Sequence, residues 1–224
     1  MTRLDYIASL VDKRVVIDVG SDHGFLIKKL FDNNQIDYAF VTDISQKCVE
    51  KAKNNLANYN NISYLCGDGL KIFDSDLPSI LDKKCKDYVP NTVVITGMGG
   101  EEIIKILSQN SAKKFDKFIL SPQRNIILVR EFLVKHNFEI TQDRVVKDGK
   151  MFYNVIVATR SKTKYNLSIE ELTFGLTNVH NPNNDFLLYA DFLLKQYLDI
   201  LSKKEVPSIR TKYEMLQNVI HKNI

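Results

Sequence analysis

The sequence predicts an α/β fold: a doubly wound parallel sheet that closes with an antiparallel hairpin and carries a C-terminal α-helical hairpin of coiled-coil-like character. Three observations predict it. Five short β-branched runs, at 15–19, 38–44, 62–66, 92–97 and 117–121, are followed or separated by helix-like stretches at 25–33, 45–58, 101–109 and 124–136, the alternation that gives βαβ units. Two longer β-rich runs, 138–147 and 151–160, are joined by Asp-Gly-Lys (148–150), a strong hairpin signal. Beyond Ser161 apolar residues recur at helical spacing. Residues 1–160 are expected to form one domain and 161–224 a helical extension.

The first run, VVIDV, is nearly continuous in apolar character, as suits a strand buried on both faces. It feeds Gly20-Ser21-Asp22-His23-Gly24. Glycine is favoured where a turn bends sharply under a ligand. The dinucleotide fingerprint G-x-G-x-x-G is absent, because Asp22 and Phe25 stand where its second and third glycines belong, and no G-x-x-x-x-G-K-[ST] loop occurs. The closer template is acid-x-Gly-x-Gly-x-Gly, the first loop of S-adenosylmethionine (SAM) methyltransferases. Asp18 is then the acid, Gly20 and Gly24 the outer glycines, and Asp22 replaces the middle one. SAM carries an ammonium and a sulfonium but no phosphate, so carboxylates suit it. A plain strand-to-helix turn is the bland alternative. His23 either orients Asp22 or caps the next helix.

YAFVTDI ends at Asp43-Ile44, with Asp43 25 residues past Asp18, near the spacing of a ribose-binding acid. A carboxylate there accepts from both ribose hydroxyls, while Ser45 is better placed to cap the following helix. ISYLC ends in Gly67-Asp68-Gly69, an acid between glycines where an adenine amine would lie. TVVITG runs into Thr96-Gly97-Met98-Gly99-Gly100. Glycines at this density mean a backbone that turns or approaches something closely, with Met98 as a polarizable contact. KFILS ends in Ser121-Pro122-Gln123-Arg124-Asn125, a polar set facing the same cleft. In the extension, Ser168 and Glu171 read as a capping box and NPNN (181–184) breaks the chain. Phe186, Tyr189, Leu193, Tyr197 and Ile200, then Val206, Ile209, Tyr213, Leu216 and Ile220, each line one helix face. With a turn at Pro207 they predict an antiparallel helical pair whose tyrosines and leucines are packing seams.

Composition narrows the class. Apolar residues make up 44% and charged residues 26%, and no apolar run approaches the about 20 residues of a membrane span. MTRLDYIASLVDK has no signal core. Cys48, Cys66 and Cys85 form no C-x-x-C pair, and none of the four histidines is spaced for a metal. A cytoplasmic monomer with no metal and no membrane contact is expected. Residues 1–104 hold 12 Lys/Arg against 15 Asp/Glu, whereas 105–150 hold 10 against 5. A basic stretch beside an acidic half suggests an anionic partner; a solvated lysine-rich surface is the plainer reading.

GSDHG, GDGL, ITGMGG, LSPQ and the DGK-x-x-Y segment, in this order, resemble the bacterial TrmK family over residues 10–160. The resemblance implies a Rossmann-like class I SAM-dependent methyltransferase fold, SAM as cofactor, tRNA as partner, and methyl transfer to N1 of adenine 22. Where that family usually has a carboxylate after the tyrosine, this chain has Asn154. On this reading Asp18, Gly20, Ser21, Asp22, His23, Gly24, Asp43, Ile44, Asp68, Gly69, Thr96 and Gly97 hold SAM, and Asp22 and Met98 serve the chemistry. Met98, Gly99, Gly100, Pro122, Gln123, Arg124 and Tyr153 surround the base, which must leave its helix to expose N1. Lys113, Lys114 and Arg130, with Lys105, Lys117, Arg124 and Arg144, are candidates for phosphate contacts, as are Lys195, Lys203, Lys204, Arg210 and Lys212 on the helical pair. A SAM enzyme acting on a small molecule or another RNA, and a non-catalytic RNA-binding protein of the same fold, are the alternatives. The missing fingerprint disfavours an NAD-dependent oxidoreductase.

Overall fold

The computed structural model describes residues 1–12, 14–74 and 91–223; Cys85 lies outside them. Its strands are β1 (Val15–Val19), β2 (Tyr38–Asp43), β3 (Ile62–Cys66), β4 (Thr92–Thr96), β5 (Lys117–Ser121), β6 (Phe138–Asp148) and β7 (Met151–Arg160). They form a sheet of order β3-β2-β1-β4-β5-β7-β6. The first five are parallel, β7 runs antiparallel to β5, and β6 antiparallel to β7. The hairpin turn is tighter than the sequence suggests, because β6 continues to Asp148, which pairs with Met151. Gly149 supplies the left-handed residue at φ 60°.

Alternation along the strands sends apolar side chains to both faces. Val16, Ala39, Val41, Val94 and Ile119 meet Ile7 of α1 (Arg3–Ser9), Leu26, Ile27 and Leu30 of α2 (Phe25–Asp32) and Ala52 of α3 (Gln46–Asn55). Ile17, Phe40, Val93, Ile95, Phe118 and Leu120 meet Ile103 and Ile106 of α4 (Gly100–Leu107) and Val129 and Leu133 of α5 (Ile126–Lys135). Each such buried side chain is worth about 1.5–3 kcal/mol over an exposed one. The strand ends therefore have little freedom to shift. One expectation needs correcting: β3 is an edge strand and is half-buried along its length rather than buried on both faces.

The C-terminal segment folds as α6 (Ile169–Phe174), α7 (Leu176–His180), α8 (Asn184–Lys203) and α9 (Pro207–His221). The Ser168–Glu171 capping box is present in both directions. Pro207 opens α9 as its first residue rather than sitting in the turn, where its missing N–H costs nothing. Phe186, Ala190, Leu216 and Val219 pack with Phe174 against Val145 of β6. The same segment covers the outer edge of the sheet. The Asp143 N–H donates to Thr177 Oγ1 at 2.8 Å, Val145 N–H to Asn178 Oδ1 at 3.1 Å, and Lys147 N–H to Asp185 Oδ2 at 3.1 Å. Side chains thus occupy ladder groups that would otherwise stand open on an edge strand.

Candidate active site

Parallel register brings the carboxyl ends of β1 to β4 to one rim: Val19 pairs with Thr42 and Ile95, Asp43 with Cys66. A cavity of about 210 Å³ opens there, lined by Val19, Gly20, Asp43, Ile44, Gly67, Asp68, Gly69, Met98, Glu102, Lys105 and Ile106. Gly20 takes φ 78°, and a Cβ on it would collide with Met98 Cε; the Met98 methyl lies on the bare backbone.

Asp43 leans over this cavity from the end of β2. Its Oδ1 accepts from Ser45 N–H at 2.8 Å, bracing the N-cap residue of α3, which is Ser45 as expected although its side chain makes no cap bond. The other carboxylate oxygen has no partner among the described residues. Asp68 sits opposite with Lys71 Nζ at 2.6 Å and Lys105 Nζ at 4.0 Å. The Lys71 ammonium holds its carboxyl below the usual range. Gln109, which sequence reading passes over, fixes this turn. Its amide accepts from Leu70 N–H at 2.7 Å and donates to the Asp68 carbonyl at 3.1 Å.

The acids of the first loop lie just outside the cavity lining. Asp18 is buried beneath the turn, and burial pushes its carboxyl up to about 6, with the Ser21 side chain pulling partly back. Asp22 is exposed, 3.2 Å from Lys51 Nζ and 3.1 Å from His23 Nε2. The Cys48 thiol and Lys51 hold it below the usual carboxylate range, so it is ionised. His23 stacks on Phe25 and meets Asp22, while Gly24, left-handed at φ 68°, is the residue at the α2 start. His23 therefore does not cap the helix. Lys51 and Cys48 come from α3, and only the packing of α3 beside the loop reveals them.

The β4 turn and the β5 loop are tied together. Gln123 N–H donates to the Met98 carbonyl at 2.9 Å and Gly100 N–H to that of Arg124 at 3.0 Å. Arg124 faces Glu102 at 3.6 Å. Thr96, Gly99 and Gly100 follow this turn inward, Gly97 is exposed and Pro122 buried. Tyr153 lies on the α1 side of the sheet under the Arg3 guanidinium, 4.3 Å from its centroid, so it does not join the Met98 wall.

Three expected surface cations sit elsewhere. Lys113 and Lys114 precede β5, at the opposite end of the sheet, where Lys113 Nζ meets Asn110 Oδ1 at 3.3 Å and Lys114 Nζ donates to the Phe73 carbonyl at 2.6 Å. Arg130 is only 1% exposed and pairs with the fully buried Asp143 at 2.7 Å. It also donates to Asn154 Oδ1 at 3.0 Å and to the carbonyls of Leu172 and Thr173.

This lining fits a nucleoside that carries positive charge. A ribose diol finds the free Asp43 oxygen, a flat base finds Ile44, Ile106 and Met98, and the surrounding acids favour a cation over a phosphate. Among the described residues there is no cluster of His, Cys, Asp or Glu that could hold a metal ion, and no helix is long and apolar enough to cross a membrane.

Comparison with known proteins agrees with this geometry. The methyltransferase-domain family matches residues 1–156. A Mycoplasma genitalium protein, described as a candidate tRNA methyltransferase, is 30% identical over 211 residues, covering 92% of this chain and 90% of its own. The tRNA (adenine(22)-N(1))-methyltransferase of Bacillus subtilis is 26% identical over 162 residues, 70% of this chain and 63% of its own. The solved structure of M. capricolum TrmK with S-adenosyl-homocysteine is 26% identical and superposes with a TM-score of 0.75, covering 99% of this chain and 95% of its own. With the matched residues spanning the whole parallel sheet and the rim just described, this chain belongs to the methyltransferase-domain family, on the branch that holds TrmK.

Proposed function

We propose that this protein transfers a methyl group from SAM to N1 of adenine 22 in tRNA, as a cytoplasmic monomer in which residues 1–160 form the SAM-binding methyltransferase domain and 161–224 a helical extension. The observation that carries the reading is Asp22: an ionised carboxylate held by Lys51 and His23, two residues beyond the glycine that lines the nucleoside cavity. When bound, SAM supplies a methyl group already activated by the sulfonium. The chain's task is then positioning. Asp43 orients a ribose, Ile44 and Ile106 flank a base, and Met98 with Gly20 shapes the floor toward the substrate side. Adenine N1 is a neutral lone pair, and methylation leaves positive charge spread toward N6. Asp22 stabilises that charge and accepts an N6 proton if one is released.

The test is transfer of labelled methyl from SAM to bulk tRNA, followed by nucleoside analysis. 1-Methyladenosine at one position is expected. Label in another nucleoside, or in none while SAM still binds, overturns the substrate assignment. The Asp22→Asn variant is expected to lose about 100-fold in turnover, the usual scale for a positioned acid-base group, with SAM affinity within about threefold of wild type in calorimetry. Unchanged turnover removes Asp22 from the chemistry.

A further inference from the structure

The β5 loop borders a second, larger cavity of about 550 Å³ that the methyl-transfer reading does not use. Its walls come from both the sheet-bearing part and the helical pair. Asn125 and Ile126 follow Arg124 directly, α8 supplies Tyr189 and Tyr197, and α9 adds Lys212, while Asn154 lies beside the buried Arg130. The volume falls within the range of ligand pockets. The cavity joins the catalytic domain to the helical pair, and the loop that bounds it is hydrogen-bonded to the Met98 turn through Gln123 and Arg124.

The lining is mixed rather than apolar. The phenols of Tyr189 and Tyr197 and the ammonium of Lys212 make no hydrogen bond or ion pair among the described residues. Asn154 commits its oxygen to Arg130 and keeps its amide NH2 without a partner there, and Asn125 commits its NH2 to Glu101 and keeps its oxygen. An apolar peptide would bury these groups unpaired, at a cost. A nucleotide has a base with apolar faces for the rings and Leu193 and acceptors and donors on its edge, and a phosphate for Lys212.

We infer that this groove takes an unstacked nucleotide of the tRNA next to the methylated adenine. The inference rests on the function proposed above. Extruding a paired adenine also unstacks its neighbour, and a groove one loop away from the Met98 turn is placed to hold that neighbour while the target enters the cleft. Stacking on one aromatic side chain is worth about tenfold in affinity.

Kinetics with tRNA as the varied substrate test this. Tyr197→Ala is expected to raise KM for tRNA about tenfold and Lys212→Ala about threefold. The SAM dissociation constant should stay constant, and Tyr197→Phe, which keeps the stacking ring but loses the hydroxyl, should raise KM less than Tyr197→Ala. Leu198→Ala, on the same helix with an exposed side chain, serves as the control. Ultraviolet crosslinking of wild-type protein to tRNA should attach a nucleotide other than the methylated one to the peptide 184–203. Unchanged KM in both groove variants, or an equal rise in Leu198→Ala, overturns the assignment. So does a crosslink map that leaves 184–203 empty, which also decides the matter if Tyr197→Ala fails to fold, and which would redirect the groove to a protein partner. Wild-type protein that makes no 1-methyladenosine overturns the function itself, and the groove assignment goes with it.

Discussion

Asp18 and Asp22 stand four residues apart on one strand and turn, and their surroundings push them in opposite directions. Asp18 ends inside the sheet, where removing a charge from water is costly, and its carboxyl rises to about 6. Asp22 ends in solvent against a thiol and an ammonium and stays ionised. The first shift has a thermodynamic consequence. In the unfolded chain Asp18 titrates near 3.8, in the folded chain near 6. Between those values the folded state holds a proton that the unfolded state has lost. Stability therefore falls as pH rises from about 4 to 6, by up to about 3 kcal/mol, and levels off above. Asp18→Asn removes that slope. Urea denaturation at pH 4 and pH 7.5 should show the variant gaining on wild type at the higher pH; a constant offset would mean that Asp18 carries no shifted proton. Both acids were legible in the sequence because a strand end is a fixed place in an open sheet. Lys51 and Cys48 beside Asp22, and Gln109 beneath the Asp68 turn, were not, since which helix residue reaches which loop is decided by packing.

Elements show the same division. The parallel strands were readable from apolar runs because each must satisfy two buried faces at once. α1 was missed although Thr2 and Asp5 form a capping box, because seven residues carry little periodicity. Arg130 was misplaced for a sharper reason: a basic residue in a basic stretch reads as surface. Here α5 points it inward to join Asp143 of β6, Asn154 of β7 and the α6 carbonyls. A Cβ at Gly175 would press on the same carboxylate and guanidinium, 2.8 Å from Asp143 Oδ1 and 2.9 Å from Arg130 Nη2, so the bend between α6 and α7 fits only glycine. This knot fastens the C-terminal helices to the sheet. Arg130→Ala leaves Asp143 charged, buried and alone, and should cost about 3–5 kcal/mol in equilibrium denaturation. Adding Asp143→Asn to the variant should return part of it, and a single-variant loss below about 1 kcal/mol would mean that the pair does not hold the two parts together.

At the scale of the whole molecule, linear charge turns out to be a poor map of surface charge. The net +5 of residues 105–150 is divided by the fold. Lys117 contacts Asp12 and the Leu10 carbonyl at the end of the sheet away from Asp22, with Lys113 and Lys114 nearby in sequence. Arg130 is interior, and Arg144 donates to the Asn181 carbonyl. On the helical pair, Lys195, Lys203 and Arg210 are engaged by Asp191, Asp199 and Glu205. Among the described residues, the cations left beside the cleft and groove are Lys105 and Arg124, each only loosely paired, together with Lys212. About three phosphate contacts imply a log–log salt slope between about −2 and −3, so tRNA affinity should fall about fivefold for each doubling of salt. Filter binding between 50 and 200 mM KCl measures it. The Lys113→Ala, Lys114→Ala double variant should keep the wild-type slope, because those side chains face the wrong end of the sheet. A slope twice as steep that the double variant reduces would place the RNA across that far end instead. A flat response would leave recognition to shape and stacking alone, which the exposed Lys105 and Arg124 and the groove's Lys212 argue against.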